Sequence, residues 1–142
     1  MISAFAITFV MIALSVGFHH WGLNSLLRIL PETCNRNRNF FRAVGILLLV
    51  MGVHLIIILT FSLTFWLAAE VLNLGALGSQ EPHGFMDYLY HTSASYTTLG
   101  LSHVPFGHLR IMTALESLTG IMLLTWSATF YYTVIIKNSD AA

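Results

Sequence analysis

The stretch Asp87-Tyr88-Leu89-Tyr90-His91-Thr92-Ser93-Ala94-Ser95-Tyr96-Thr97-Thr98-Leu99-Gly100-Leu101-Ser102 lies between two long apolar segments. It is rich in hydroxyl and aromatic side chains, and it is too short and too polar to be an ordinary membrane span. Non-helical backbone at membrane depth survives only where protein buries it or a water-filled path lines it. Whether this stretch crosses a bilayer, or enters and returns on one side, decides the fold.

The surrounding chain is unmistakably apolar. Of its 142 residues, 56% are hydrophobic and 8% are charged, against roughly 25% charged in a soluble domain. The formal net charge of zero gives no reason to expect a nucleic-acid or acidic partner. The single cysteine, Cys34, excludes an internal disulfide and a cysteine zinc cluster. The chain is expected to be an all-α membrane protein resident in the lipid bilayer.

Working outward, Ile2 to Phe18 is an almost unbroken apolar run, at the lower limit of the about 17–25 residues that a spanning helix needs. No basic residue precedes it and His19-His20-Trp21 follows it, so it reads as a retained span rather than a signal peptide. Residues 1–30 are assigned to this first helix, and the polar residues 31–39 to a solvent connector. Residues 40–74 would extend roughly 50 Å as one helix, beyond a hydrocarbon core of about 30 Å. That helix must tilt, protrude or break, and Glu70 marks where it leaves the hydrocarbon. Residues 75–84 form a turn-rich linker, residues 85–97 suit a short helix, and Leu109 to Ile136 form the third span.

Charge placement sets the expected orientation. Arg28, Arg36, Arg38 and Arg42 surround the connector, and Lys137 follows the last span. The positive-inside rule makes the connector and the C-terminus cytoplasmic. The N-terminus and the region from Glu70 to Arg110 then face outside, and residues 85–106 must enter and leave on the same side.

A short helix aiming its partly negative C-terminal end at a central axis favours a cation. Backbone oxygens beyond that end can replace an ion's hydration shell, with glycine allowing unusual dihedrals. One chain cannot surround an axis, so a closed oligomer is expected.

At this point the sequence resembles the pore domain of the potassium-channel superfamily. Bacterial members read approximately D-A-L-Y-F-S-V-V-T-L-T-T-V-G-Y-G-D, and the ungapped register here is D-Y-L-Y-H-T-S-A-S-Y-T-T-L-G-L-S-H. Asp87, Leu89, Tyr90, Thr97, Thr98 and Gly100 match. Downstream, Val104-Pro105, Arg110, Glu116 and Gly120 fit the family's spacing.

The resemblance implies a pore domain over residues 40–137. It would comprise an outer helix 40–74, a re-entrant pore helix 85–97, a filter 98–102 and an inner helix 107–136, assembling as a tetrameric pore. Ion-binding positions would be Thr98, Leu99, Gly100, Leu101 and Ser102; Thr97, Glu116 and Asp87 would support the filter, and Gly120 would be the inner-helix hinge. No cofactor is implied beyond a permeant monovalent cation, with potassium the family's ion. The first helix lies outside the resemblance. Leu101, Ser102 and His103 replace the family's aromatic residue, second glycine and aspartate, which leaves a non-selective cation pore as an alternative.

Glu116 is ionisable inside a span, a position that marks function by default; support of the filter backbone is the favoured role. His83, His91, His103 and His108 fall in the external region. Modulation by external protons or metal ions at His103 and His108 stands beside the plainer reading of interfacial polarity. His54 is expected to hydrogen-bond a neighbouring helix. Thr113, Thr119, Thr125, Ser127 and Thr129 suit either a cavity face or helix packing.

The expected function is thus a homotetrameric cation channel and not an enzyme. Gating would come from Gly120, the filter, pH or a separate partner. A non-conducting membrane subunit with a pore-like fold is the alternative from another class, and a histidine-dependent membrane metalloenzyme is a weaker third.

Overall fold

The computed structural model describes residues 2–29, 36–78, 84–100 and 104–139. It contains four helices: α1 (Ile2–Ile29), α2 (Arg36–Glu70), α3 (Phe85–Tyr96) and α4 (Leu109–Ser139). Three of them hold stretches long and apolar enough to cross a membrane, namely Ile2–Leu26, Ala43–Glu70 and Leu109–Val134. Among the described residues there is no β-strand, only an isolated antiparallel bridge between Leu77 and Pro105. The expected all-helical plan, with a short helix between the second and third long ones, is present.

Two boundaries differ from the sequence reading. Arg36–Asn39, expected within the 31–39 connector, already belong to α2. The apolar run that follows nucleates the helix, and each residue added backwards gains a hydrogen bond at little propensity cost. Residues 30–35, including Cys34, lie outside the described set. At its other end α2 stops at Glu70, short of the expected Leu74. Asn73 adopts a left-handed φ of 49°, and the Leu74 amide reaches back to the Ala68 carbonyl at 2.9 Å. A left-handed residue after the last turn, with an amide folding back over it, is a common way to end a helix.

The long helices alternate in direction. Ala4, early in α1, shares a recess with Gly107, His108, Arg110 and Ile111 at the start of α4. Leu23 and Leu26, late in α1, pack with Ile46 and Val50 early in α2 and with Phe130, Tyr131 and Val134 late in α4. So α1 and α4 run together and α2 runs against them. Helix α3 packs on α2 and α4, where Tyr88, Tyr96, Phe61, Phe65, Leu109, Met112 and Leu123 belong to one buried cluster.

Hydroxyl residues fit the apolar helices by bonding their own backbone. Thr8, Ser62, Thr119, Thr125, Thr129 and Thr133 each donate to the carbonyl one turn back, a usual way of satisfying a hydroxyl where water is scarce. For Thr119, Thr125 and Thr129 this accounts for the polarity that the sequence scatters along the last span.

The loops on either side of α3 are laced to each other. The Phe106 amide donates to the Ala76 carbonyl and the His108 amide to the Leu74 carbonyl, both at 2.8 Å. The contact needs two glycines. A β-carbon on Gly107 (φ 68°) would fall 2.8 Å from the Leu74 carbonyl oxygen, and one on Gly75 would overlap the Phe106 carbonyl. The chain therefore leaves this junction, forms α3, and comes back to the same junction before α4 begins.

Candidate functional site

Helix α3 is held at both ends and in the middle. At its start, Asp87 Oδ2 accepts from the Gly84 amide at 2.8 Å, a carboxylate satisfying a first-turn donor at the positive end of the helix. One residue on, the buried Tyr88 hydroxyl donates to Glu70 Oε1 at 2.9 Å, tying α3 to the last residue of α2. Burial, and then this bond to Glu70, push the Tyr88 phenol up from its ordinary value. A turn later the Thr92 and Ser62 hydroxyls bond each other. At the last residue, Tyr96 Oη lies 2.8 Å from His54 Nδ1. These three partners on α2 step back from Glu70 through Ser62 to His54, so α3 runs antiparallel to α2.

The other flank of α3 meets α4. His91 is buried, with its Nε2 3.0 Å from Thr113 Oγ1 and its ring against Phe65. The plainer reading of His91 as an interfacial polar residue of the external region is corrected: its side chain is buried, because α3 has two helical neighbours and His91 falls on the face between them. Burial lowers the His91 pKa from 6.5 to about 4, because the charged form is desolvated.

Gly120 faces the end of α3, and the buried Glu116 lies one helical turn before it on α4. A β-carbon on Gly120 would lie 2.9 Å from the Tyr96 carbonyl carbon and closer still to its oxygen. Gly120 is thus where α3 backbone rests on α4, and α4 continues through it unbroken. Glu116 is 0% exposed and neither carboxylate oxygen has a hydrogen-bond partner among the described residues. The expected bond from Glu116 to the α3 or filter backbone is not formed there. Arg110 points elsewhere: its Nε donates to the Pro105 carbonyl at 2.9 Å, and its guanidinium sits over the Phe106 ring.

Beyond α3 the backbone turns sharply. Thr97 caps the helix, with its amide on the Ser93 carbonyl at 3.1 Å and its hydroxyl on the same oxygen at 2.7 Å. Thr98 has φ 59° and Gly100 has φ 70°. A left-handed β-branched residue is a genuine outlier and costs roughly 1–2 kcal/mol. Thr97, Thr98, Leu99 and Gly100 are all exposed, and a β-carbon on Gly100 would meet nothing within 4 Å. Leu101, Ser102 and His103, together with His83, lie outside the described residues.

The structure thus brings Gly120 to Tyr96 at the foot of α3, next in sequence to Thr97, with Glu116 one turn earlier on α4. It puts Asp87 at the opposite end of α3, as a cap. His108 is at the laced junction, where its carbonyl also accepts from the Ile111 and Met112 amides.

One constellation escapes the sequence reading. Ser127 Oγ lies 2.7 Å from His19 Nε2 and 2.8 Å from His54 Nε2, while His54 Nδ1 meets Tyr96 Oη. A continuous buried hydrogen-bond chain therefore links α1, α4, α2 and α3. The two imidazoles stand 5.3 Å apart between centroids, and Trp126 packs edge-on to His19. The expectation that His54 bonds a neighbouring helix holds twice over. Among the described residues no group of histidine, cysteine, aspartate and glutamate has the convergence of a metal site. No family model, curated protein or solved structure matches the chain.

Proposed function

We propose that this chain is the pore-forming subunit of a tetrameric cation channel, with residues 98–102 as the filter and α3 as its pore helix. The observation that carries the reading is the exposed, left-handed Thr98–Gly100 backbone at the foot of a helix whose two flanking loops are laced together. Strained backbone persists where its surroundings over-determine it, and such places are often functional. Here the strain lies next to a Tyr96 clamped by His54 on one side and by Gly120 on the other.

Other features support the reading. His54 lies near the middle of the Ala43–Glu70 stretch, so α3 would enter from the Glu70 side and end at mid-depth. Leu118, Ile121, Met122 and Trp126 expose apolar surface on α4, which suits lipid or neighbouring subunits. Four chains around an axis would place four Thr98–Gly100 stretches together, with the negative ends of four α3 helices behind them. Potassium is the proposed ion. The N-terminus would lie outside and the C-terminus in the cytoplasm, following the charge pattern.

The test is ion flux in liposomes carrying purified protein under opposed potassium and sodium gradients. A reversal potential near the potassium value is expected. A value near zero with measurable current would mean a non-selective pore. No current from a verified tetramer would overturn the channel reading in favour of a non-conducting subunit. Gly100→Val should abolish current while the tetramer persists.

A further inference from the structure

Between α1 and α2 lies a groove of about 470 Å³. Met11, Leu14, Ser15 and Phe18 line it from α1, and Thr60 and Thr64 are among its α2 residues. Leu14 and Leu63, also in its lining, are 61% and 49% exposed, so the groove opens to the surroundings of the bundle. Ser15 and Ile57 lie near the middle of the spans Ile2–Leu26 and Ala43–Glu70. Those surroundings are therefore hydrocarbon, with Ser15 about 15 Å from either edge of a core about 30 Å thick. No charged side chain is among the described residues that line the groove.

The three hydroxyls in the lining are not equivalent. The Thr60 hydroxyl donates to the Ile57 carbonyl at 2.7 Å, and the Thr64 hydroxyl to the Thr60 carbonyl at 2.8 Å. Their protons are used. Ser15 is 3% exposed, and its Oγ has no hydrogen-bond partner among the described residues. Thr8 and Ser62, as deeply buried in the same two helices, each give their proton to a carbonyl one turn back. A buried hydroxyl left unpaired is unfavourable in a medium that cannot solvate it. Ser15 is thus the one O–H donor in the groove that the described protein does not use.

A ligand that fits must be uncharged, mostly apolar, and able to carry an acceptor to the middle of the bilayer. Phospholipid esters lie with the headgroups at the edge of the hydrocarbon, too far out to reach Ser15. A molecule without a charged head has no such anchor. A carbonyl oxygen accepts the free proton and brings no donor of its own to be left unpaired. The Phe18 ring and the Met11 thioether favour a flat, conjugated ring as the part that lodges between the helices.

We propose that this groove binds a lipid-soluble quinone, a conjugated ring with carbonyl oxygens on an apolar tail, and that one carbonyl accepts the Ser15 proton. The contact is a hydrogen bond, with no covalent or redox step. The inference does not depend on residues 98–102 conducting ions.

The experiment is photolabelling of full-length protein in lipid nanodiscs with an azido-benzoquinone bearing a decyl chain, followed by peptide mapping. Labels should fall between Met11 and Phe18 on α1 and between Ile56 and Thr64 on α2, and excess decyl-benzoquinone should remove them. Ser15→Ala should raise the concentration needed for half-maximal labelling roughly fivefold, the worth of one neutral hydrogen bond. Decylbenzene, which has the ring and the chain but no carbonyl, should compete more weakly by a similar factor. Leu14→Trp, at an exposed position, should block labelling while circular dichroism stays helical. Labels spread evenly over the three spans, equal competition by decylbenzene, or an unmoved half-labelling concentration in Ser15→Ala would each overturn the proposal. The first would mean partition into the bilayer, and the second a groove for any hydrocarbon chain. Liposome currents measured on the same samples keep its failure separate from failure of the channel reading.

Discussion

Tyr96 and His54 meet through a 2.8 Å bond between phenol oxygen and Nδ1, which fastens the last residue of α3 to the middle of α2. Tyr96→Phe leaves the ring in place and the buried imidazole nitrogen alone. Leaving a buried polar group unpaired costs about 1–3 kcal/mol. The expected outcome is a lower unfolding midpoint in detergent with helical circular dichroism retained. An unchanged midpoint would show that the bond contributes nothing net.

Gly120 distinguishes packing from bending. If it serves only as a flexible point in α4, alanine should stabilise the helix slightly, since glycine is disfavoured there by roughly 1 kcal/mol. The Tyr96 carbonyl against it predicts the reverse. Gly120→Ala should push α3 away and destabilise by about 1–3 kcal/mol, the usual range for overpacking. Chemical unfolding of the variant beside the wild type gives the sign directly.

Gly107→Ala should undo the lacing. It places a side chain at a left-handed position, for roughly 1–2 kcal/mol, and against the Leu74 carbonyl. Hydrogen exchange is the sensitive measurement. The Phe106 and His108 amides, bonded to Ala76 and Leu74, should lose protection while amides in the middle of α2 keep theirs. Protection unchanged at both amides would contradict the description of this junction.

His91 gives stability a pH dependence with a definite sign. Its folded pKa is about 4 against an ordinary 6.5, so the unfolded chain binds the proton first as pH falls. The contribution is level above about pH 6.5 and is lost progressively down to about pH 4. His91→Gln should flatten the midpoint-versus-pH curve in that window. A curve of identical slope would mean that His91 binds its proton equally in the folded and unfolded protein.

The long helices could be read from apolar length alone, because a backbone in hydrocarbon has few ways to satisfy its own polar groups. Phe85–Tyr96 was legible too: its polar composition and limited length fit a short helix better than a span. Ends were harder. Nothing in Arg36–Asn39 resembles a helix, yet the apolar run behind it extends the helix through them. Tertiary proximity was hardest. His19 and His54 sit at comparable depths on antiparallel helices, and span boundaries would have placed them side by side had each histidine's depth been counted. Ser127, one hydroxyl among several on α4, gave no sign of bridging them. Gly120 carried a spacing signal, but sequence cannot separate a bend from a backbone contact.

The lacing between Leu74–Leu77 and Pro105–His108 also bears on motion. Where two long helices are pinned together at one end, relative tilting moves that end least and the far end most. The Gly75–Gly107 junction is then a fulcrum, with α4 a lever of 31 residues, or roughly 46 Å at helical rise. A tilt too small to disturb the hydrogen bonds at the fulcrum is magnified along that arm, so displacement grows through Phe130–Val134 to the end of α4. Paired spin labels at Val71 and Ile111 should keep a narrow distance distribution under conditions that broaden one between Val44 and Tyr132; equal broadening at both ends would mean that the junction is not the fixed point.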